Sequence, residues 1–402
     1  MAKSHSTPVA LDRFWFIAQR GSESTALSGE MTLPRSSHAD ASLRFTLIDA
    51  LRGVAALAVL FYHYMHFFMA GTDHTRQLTF LHLQPAQAWL SPLYEYGFYA
   101  VQVFWIISGF VFAMVYLGRQ TTTREFVVNR LARLYPLHLL TLLIVALLQG
   151  IALRRFGHTL FYDNYDWSHF ALQLGFASDW LNWTDHSFNG PIWSVSVEVL
   201  IYAVFWLLRP VLERVGWIGI SVIILLCLLG NVVGAYTRVP MCGFYFFQGV
   251  ALARLHDQLG TRTGGRLAAG LVLIAFGAIG LAWGGAMPRE ALGIPGLAGA
   301  AVLLLAGAER AAPPLLRRVG QWLGDNTYGL YLWHVPVQMA LMLALLPYFD
   351  PAELAQNGWF LAAFVLGTTA LARASFVLFE RPMREWIRRG AAAGHTAGHN
   401  GG

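Results

Sequence analysis

The chain is poor in charge and in cysteine, and it lacks the common nucleotide and metal motifs. Only 12% of its 402 residues are charged, whereas a typical soluble domain has about 25%. The two cysteines, Cys227 and Cys242, lie in apolar surroundings and are too few for a disulfide framework or a thiolate metal site. There is no Walker loop, no GxGxxG fingerprint after a strand, no HExxH and no Gly-x-Ser-x-Gly elbow. ATP hydrolysis, dinucleotide chemistry and zinc proteolysis are therefore not expected.

Long apolar runs fill most of the chain. Hydrophobic residues make up 56% of the sequence, and apolar stretches recur from residue 47 to residue 380. A helix of about 20 apolar residues can cross the hydrocarbon core of a bilayer. The sequence predicts ten such spans, at 47–69, 93–117, 134–153, 191–208, 217–235, 240–256, 267–285, 291–308, 328–347 and 358–380. The expected fold class is all-α, a polytopic membrane helical bundle of about ten transmembrane helices.

The segments that flank the bundle differ from it in composition. Residues 1–43 are polar, and they lack the basic end and apolar core of a signal peptide, so a flexible cytoplasmic tail is expected. Residues 390–402 are mostly Gly, Ala and His and are expected to form a disordered C-terminal tail. The transmembrane domain is thus expected at 44–389. Within it, the aromatic stretch 161–180 is only mildly apolar and is expected to be interfacial or re-entrant.

Basic residues are unevenly distributed between the loops. If the N-terminus is cytoplasmic, 22 of the 28 Lys and Arg residues fall on the inner side and five on the outer side, with Arg373 inside the last span. Such an excess is typical of cytoplasmic loops. The distribution predicts that both termini are cytoplasmic. It also explains the net charge of +6 as a topogenic signal, so no nucleic-acid partner is expected.

The first predicted span carries Asp49, Arg52 and His63 in an otherwise apolar run. Ionisable groups at membrane depth are costly, and they usually face a protein interior or a wet cavity. Arg52 and His63 are eleven residues apart, so on a helix they lie within about 20° of one face and about 16 Å apart along it. Asp49 is one turn before Arg52, and His66 is one turn after His63. The pattern predicts an inward-facing polar stripe and makes these residues functional candidates.

Two elements of the next spans combine polar and small residues. Ser108-Gly109 allows close helix approach and a hydrogen bond across the interface, and packing alone is the simpler interpretation. Arg130 and Arg133 would present a joint positive face on a helix. Guanidinium groups suit phosphate geometry, although ordinary topogenic charge would give the same pattern.

The fourth span begins with a further polar element. Pro191 can open a helix, after which Trp193 would lie at the membrane interface and Glu198 two turns inside. A carboxylate at that depth must be paired, protonated or hydrated. An ion pair of Glu198 with Arg52 or Arg373 and a catalytic or binding role are both open.

Two elements remain near the end of the chain. The segment 323–336 is expected to start a helix with Asp325 or Asn326 as its cap and to carry His334 inward, either as a packing residue or as a functional one. The Phe-Glu-Arg-Pro sequence at 379–382 is expected to end the last span with a salt bridge.

In this order, these elements resemble the membrane-bound acyltransferase-3 family of bacterial integral-membrane O-acyltransferases. The resemblance covers about residues 43–388 and departs from the usual pattern only at Ile48 and Val195. The matching elements are Ile48-Asp49-Ala50-Leu51-Arg52-Gly53 with His63, Ile107-Ser108-Gly109-Phe110, the Arg-rich stretch before Tyr135-Pro136, Trp193-Ser194 with Glu198, Tyr328 and Tyr331 with His334 and Pro336, and Glu380-Arg381-Pro382.

The resemblance implies acyl transfer that involves Arg52 and His63. The implied donor is cytoplasmic acetyl-CoA or another acyl-CoA, as a co-substrate without a metal. The implied acceptor is a hydroxyl of a cell-surface glycan, a lipid-linked sugar or a small molecule, as in polysaccharide O-acetylation. The implied location is the bacterial inner membrane, so the lipid bilayer is itself a partner.

A mechanism can be outlined on that basis. Arg130 and Arg133 are expected to hold the phosphates of acyl-CoA, and His63 to act near mid-membrane as a general base or as a covalent acyl carrier. Arg52 is expected to bind CoA or to stabilise developing charge, with Asp49 orienting it. Further candidates for catalysis or substrate binding are Glu198, Ser108, Trp193, Ser194 and His334.

A transporter and a scaffold are the two alternatives to an enzyme. A proton-coupled transporter also buries Asp, Arg, His and Glu, but no pair of interrupted helices at matching positions is evident in the sequence. A non-catalytic membrane scaffold would not account for so many ionisable residues at depth.

Overall fold

The computed structural model describes residues 44–69, 81–181, 186–233, 238–286 and 289–399. These ranges form helices joined by loops, with one isolated β-bridge between Asn164 and Ser187. The predicted tail at 1–43 lies outside them. The α-helices are α1 (Thr46–His63), α2 (Gln87–Tyr96), α3 (Ala100–Tyr116), α4 (Thr123–Phe156), α5 (Trp167–Leu174), α6 (Ile192–Val215), α7 (Trp217–Val232), α8 (Arg238–Leu259), α9 (Thr263–Ala282), α10 (Ile294–Ala308), α11 (Pro314–Leu345), α12 (Pro351–Ala355), α13 (Gly358–Ser375) and α14 (Arg381–His399).

The helices confirm the all-α polytopic bundle. Within the described ranges, eight helical segments are long and apolar enough to cross a membrane. The other two predicted spans, the fifth and the sixth, coincide with α7, which is shorter, and with α8. Short 3-10 turns extend α1 to Phe68 and join α2 to α3. The stretch predicted to be interfacial or re-entrant contains the short helix α5 and loops, and its relation to a membrane stays a prediction.

Two helices begin well before the apolar runs that predicted them. Helix α4 starts at Thr123, where Thr122 and Glu125 form a reciprocal capping box. Helix α11 starts at Pro314, so the prediction that Asp325 or Asn326 caps a helix is wrong. Both lie inside α11, where the Asn326 side chain donates a hydrogen bond to the Trp322 carbonyl at 2.7 Å.

The last span does not end at the Phe-Glu-Arg-Pro sequence. A π-helical turn at Phe376–Glu380 follows α13 and leads directly into α14, so the predicted terminating salt bridge is wrong. Glu380 instead accepts a hydrogen bond from Ser375 at 3.1 Å, and Arg381 pairs with Glu385 at 3.2 Å. Helix α14 continues to His399. The disordered tail predicted at 390–402 stays a prediction.

Glycines bring the backbones of neighbouring helices together. A Cβ atom on Gly109 of α3 would collide with the carbonyl oxygen of Phe246, and one on Gly249 of α8 would collide with that of Ile106. Helices α1 and α11 are in similar contact, because Gly320 lies against the Thr46 carbonyl. Small residues at such crossings allow close packing where lipid provides no hydrophobic drive. The packing expected for Ser108-Gly109 is therefore present.

Contacts between side chains near the ends of the predicted spans define two ends of the bundle. At one end, here called the Arg44 end, Arg44 pairs with Asp325, and Glu309 accepts hydrogen bonds from the Thr46 hydroxyl and the Leu47 backbone. At the other, called the Tyr162 end, the Arg155 side chain donates to the Leu343 carbonyl, and Arg238 pairs with Asp179. Each of these contacts joins segments that the sequence placed on one side of the membrane.

Candidate active site

Among the described residues, three cavities lie one after another along the bundle. The first, at the Arg44 end, is the Arg44 cavity, with about 1010 Å³ of space between atoms, open solvent included. The second is the Glu198 cavity, with about 790 Å³ by the same measure. The third, at the Tyr162 end, is the His63 cavity, with about 1320 Å³. The site residues predicted from the sequence that line them are Asp49, Arg52, Arg130, Arg133, Ser108, Ser194 and Glu198 in the first two, and His63 and Trp193 in the third.

Shared lining residues connect the cavities in series. The Arg44 and Glu198 cavities have four in common: Arg52, Val111, Arg133 and Tyr328. The Glu198 and His63 cavities share Val101 and Tyr331. The Tyr331 hydroxyl donates to the Pro191 carbonyl at 2.9 Å and lies 2.6 Å from the Ser194 oxygen. The first two cavities therefore share more of their lining than the last two do, and Tyr331 lies where the Glu198 and His63 cavities meet.

Glu198 lies among hydroxyl groups and positive charges and not in an ion pair. The hydroxyls of Ser108 and Tyr202 are its polar neighbours. Arg52 and Arg133 interact with it electrostatically, but no salt bridge to Glu198 is present among the described residues. Arg373 lies elsewhere, in a shallow apolar depression beside Trp322. Of the two readings left open for Glu198, the direct ion pair is thus absent, and the carboxylate is available to the cavity.

Asp49 is held mainly by a residue that precedes the first span. Its carboxylate lies 2.8 Å from the guanidinium of Arg44 and 3.5 Å from that of Arg52. Arg44 also contacts Asp325 at 2.7 Å, so it ties the start of α1 to the middle of α11. The longer contact leaves the Arg52 guanidinium weakly paired, in the wall shared by two cavities.

Arg130 and Arg133 lie one turn apart but have different surroundings. The Arg130 guanidinium donates to the Tyr116 hydroxyl at 3.0 Å and lies 4.8 Å from the centroid of the Phe112 ring. Arg133 has no hydrogen bond or ion pair to any residue that the structure describes, and it lines both the Arg44 and Glu198 cavities. The whole Arg133 guanidinium is therefore open to an anionic ligand, whereas Arg130 has already used part of its guanidinium on Tyr116.

His63 is half-buried in the wall of its cavity, and its ring has a defined hydrogen-bonding partner. Its Nδ1 lies 2.9 Å from the Val59 carbonyl oxygen. A carbonyl can only accept, so Nδ1 carries the hydrogen and, in a neutral ring, Nε2 keeps its lone pair. The Gln338 amide donates to the His63 carbonyl at 2.7 Å and fixes the end of α1. The imidazole faces the protein interior and not lipid.

Two other histidines pack around His63. The ring centroid of His334 is 4.8 Å from that of His63, and the centroid of His66 is 5.2 Å away. His334 is fully buried, as predicted, and its Nδ1 lies 3.2 Å from the Leu330 carbonyl. Its Nε2 has no hydrogen-bond partner among the described residues. His334 therefore supports His63 from inside the protein and does not line any of the three cavities.

The His63 cavity also contains residues that the sequence did not single out. Arg238 lies over the Trp193 ring, 4.8 Å from its centroid, and pairs with Asp179. Burial raises the pKa of Asp179, while the neighbouring guanidinium opposes that shift. Tyr162, in the cavity wall, and Gln338, which contacts the His63 backbone, were likewise missed, since single polar residues in apolar or loop segments give no pattern. Tyr331 was named only as part of the Tyr-x-x-Tyr element and not as a site residue.

The two principal candidates occupy different places along the path. Helix α1 is continuous from Thr46 to His63, so Arg52 and His63 are about 16 Å apart along it. Arg52 lines the first two cavities, and His63 lines only the third. One ligand would have to be elongated to reach both. In the ranges covered by the structure, no group of three or more His, Cys, Asp or Glu side chains is arranged to hold a metal ion.

Comparison with known proteins adds a family and two relatives. Residues 45–375 match the family model described as an acyltransferase domain. The chain is 30% identical over 181 residues to the acyltransferase MdmB of Streptomyces mycarofaciens, covering 44% of this chain and 43% of that protein. It is 38% identical over 107 residues to protein 2 in the picA locus of Rhizobium radiobacter, covering 26% of this chain and 44% of that protein. The chain thus spans less than half the length of each relative, and no solved structure matches it.

Proposed function

Because this chain belongs to the acyltransferase-3 family, we propose that it is an integral-membrane O-acyltransferase that moves an acyl group from acyl-CoA to a hydroxyl. Family membership supports an acyltransferase and gives no support to the proton-coupled transporter. The proposed donor is acetyl-CoA or another acyl-CoA. The proposed acceptor is a cell-surface glycan, a lipid-linked sugar or a small molecule.

The observation that carries this proposal is the series of cavities, with arginines at one end and a histidine at the other. CoA has the same layout, with phosphates at one end and a thioester at the other. About twelve bonds separate its pyrophosphate from its sulfur, which span roughly 15 Å when extended at ordinary bond lengths. This matches the separation of about 16 Å between Arg52 and His63. An acyl-CoA whose phosphates lie near Arg52 and Arg133 would therefore place its acyl carbon near His63.

The proposed orientation places the Arg44 end in the cytoplasm. Acyl-CoA is made there, and the basic residues of the loops at this end agree with the positive-inside rule. The phosphates would enter the Arg44 cavity, and the pantetheine arm would lie in the Glu198 cavity, whose lining mixes apolar and polar side chains. Arg52 and Arg133 would bind the phosphates, with Asp49 limiting the movement of Arg52. Ser108 would hold Glu198 in place beside the arm.

The acceptor would enter from the Tyr162 end. The His63 cavity is the largest of the three, and it is lined by aromatic rings with polar edges and by charged side chains, including Tyr62, Tyr162, Trp193 and Arg238. Such a surface suits a polar ligand with several hydroxyl groups. The wall at Val101 and Tyr331 would separate this ligand from the CoA arm except where the thioester meets the hydroxyl.

The proposed chemistry uses the free Nε2 of His63 as a general base. The acceptor oxygen attacks the thioester carbonyl carbon while Nε2 takes the hydroxyl proton. The tetrahedral intermediate then collapses, the carbon–sulfur bond breaks, and the protonated imidazole returns the proton to the sulfur. The products are an ester and free CoA. A covalent acyl-imidazole would need the same free Nε2, and ping-pong rather than sequential kinetics would identify it.

Replacement of His63 tests this proposal directly. Acyl transfer from radiolabelled acetyl-CoA to membrane material is measured in membranes that contain the wild-type protein, His63→Ala or His158→Ala. His158 is an exposed loop histidine and serves as the matched control. A lost general base is expected to lower the rate by about 100-fold or more, with His158→Ala unchanged. Full activity of His63→Ala at normal protein abundance would contradict the proposed role.

The identity of the products tests the substrates. Mass analysis of surface glycans and lipids is compared in cells with and without the gene. Acetyl transfer is expected to leave products heavier by about 42 Da, the mass change when an acetyl group replaces a hydroxyl hydrogen in an ester. A different mass difference would identify another acyl chain, and unchanged glycans and lipids would point to a small-molecule acceptor.

A further inference from the structure

The helix that follows the last span forms part of the Arg44 cavity. Helix α14 packs against α4, and the Arg124 side chain donates to the Ala391 carbonyl. Glu380, at the end of the π-helical turn, and Arg384, one turn later, both line the cavity. On the opposite face of α14, Arg389 is 83% exposed and pairs with Glu385. The helix therefore has one arginine that faces the cavity and others that face away.

The charges in this cavity are unequally paired. Four arginines and three carboxylates line it. Arg44 pairs with both Asp49 and Asp325, Asp49 also lies 3.5 Å from Arg52, and Glu380 accepts its hydrogen bond from Ser375. Within the described ranges, Arg384 makes no hydrogen bond or ion pair, which is also true of Arg133. Both are thus left with unused donors that point into the same space.

The charged neighbours of Arg384 favour the binding of an anion beside it. The positive charges of Arg133 and Arg388 act on it, opposed by Asp325 and Glu380. Unpaired guanidinium groups gathered in a cavity repel one another, and a multivalent anion would relieve that repulsion. The planar fork of arginine matches the oxygens of a phosphate. The cavity is therefore built for a phosphorylated ligand that contacts more than one helix.

We propose that Arg384 is a phosphate-binding residue for the nucleotide part of the donor, acting across the Arg44 cavity from Arg133. The family match ends at residue 375, so Arg384 lies beyond it and is not implied by that match. CoA carries a pyrophosphate and a separate 3′-phosphate, which offers one phosphate site for each of the two arginines. This inference rests on the proposed acyl-CoA donor and extends its binding site to a segment outside the matched domain.

Binding measurements with two probes test the inference without knowledge of the acceptor. CoA and pantetheine, which lacks every phosphate, are titrated by calorimetry into nanodisc-embedded protein. The variants are Arg384→Gln and, as the matched control, Arg389→Gln, which makes the same charge change on the same helix. Arg384→Gln is expected to weaken CoA binding by about tenfold, the effect of losing one charge-assisted hydrogen bond, and to leave pantetheine binding unchanged. Arg389→Gln is expected to bind both probes like the wild type.

The outcomes separate the two proposals. Equal CoA affinity of Arg384→Gln and wild-type protein would overturn the role of Arg384 and leave the acyl-CoA donor intact. An equal loss of CoA and pantetheine binding would also overturn it, because the change would then act on the fold and not on a phosphate. Failure of wild-type protein to bind CoA would instead overturn the proposed donor, and this inference with it. A CoA-specific loss that is absent for 3′-dephospho-CoA would assign Arg384 to the 3′-phosphate.

Discussion

At the residue scale, Arg130 and Arg133 lie one turn apart but make different contacts. The Arg130 guanidinium donates to the hydroxyl of Tyr116 and lies over the face of Phe112, and both contacts join helices α3 and α4. Arg133 makes no such contact and faces two cavities. Cation–π contacts that are shielded from water are stronger than exposed ones, so Arg130 should contribute to stability. Arg133 should contribute to ligand binding.

This difference gives a paired prediction. Arg133→Gln should weaken CoA binding by about tenfold and leave the melting temperature of the protein nearly unchanged, because it removes a donor to phosphate but no protein contact. Arg130→Gln should lower the melting temperature, with a smaller effect on CoA affinity. Calorimetric titration with CoA and thermal unfolding in detergent measure the two effects. The reverse pattern would contradict the assignment.

The sequence could indicate these two arginines but could not distinguish them. Their spacing predicts a shared helical face, and that face is present in α4. Which guanidinium is occupied depends on Tyr116 and Phe112, which belong to another helix. The same limit applies to Glu198, whose partners Ser108 and Tyr202 are not revealed by its own neighbours in the chain.

At the scale of helices, the close crossing of α3 and α8 is the most restrictive contact. Gly109 and Gly249 each face a backbone carbonyl of the opposite helix at a distance that leaves no room for a methyl group. A backbone group cannot rotate away as a flexible side chain can. Ser108 directly precedes Gly109, so this crossing also fixes the position of Ser108, whose hydroxyl is a polar neighbour of Glu198.

Substitution by alanine tests this crossing. Gly109→Ala should reduce the free energy of unfolding by about 1–3 kcal/mol or more, the usual cost of overpacking. Gly367→Ala is the matched control, since this helical glycine has nothing within 4 Å of its added Cβ, and alanine favours the helix. Thermal unfolding of both variants in detergent measures the difference. Equal melting temperatures would show that α3 can shift to admit the methyl group.

Element boundaries were harder to predict than the elements themselves. Apolar runs located the eight helical segments that are long and apolar enough to cross a membrane, but hydropathy does not register helix that continues beyond the apolar run. Helix α11 therefore begins at Pro314, well before Asp325, through a segment with charged and apolar residues. At the last span, the π-helical turn at Phe376–Glu380 allows helix on both sides of a sequence that contains proline. Neither the early start of α11 nor the π-helical turn can be predicted from amino-acid composition.

At the scale of the whole molecule, contacts between segments agree with the predicted alternation of spans. Arg44 with Asp325 and Arg238 with Asp179 each join segments that the span count placed on one side. A single missed span would have assigned one partner of such a pair to the opposite side. The alternation stays a prediction, and the side that faces the cytoplasm is a proposal based on charge.

Cysteine labelling tests this orientation. Trp167 at the Tyr162 end is 85% exposed and Arg389 on α14 is 83% exposed, so a cysteine at either position should be accessible. In intact cells, a membrane-impermeant thiol reagent should label Trp167→Cys but not Arg389→Cys, which should react only after the cells are opened. The parent chain, with Cys227 and the fully buried Cys242, gives the background. The opposite labelling pattern would invert the proposed topology.

The meeting point of the two cavities at Val101 and Tyr331 has a physiological consequence for the proposed function. Cavities reach these two residues from both ends of the bundle, so the proposed path of the acyl group must not also conduct ions. In the proposed location, a membrane voltage of 100 mV is worth about 2.3 kcal/mol per elementary charge. We therefore propose that the phenol of Tyr331, which is hydrogen-bonded to Pro191 and Ser194, also limits leakage of ions between the two cavities.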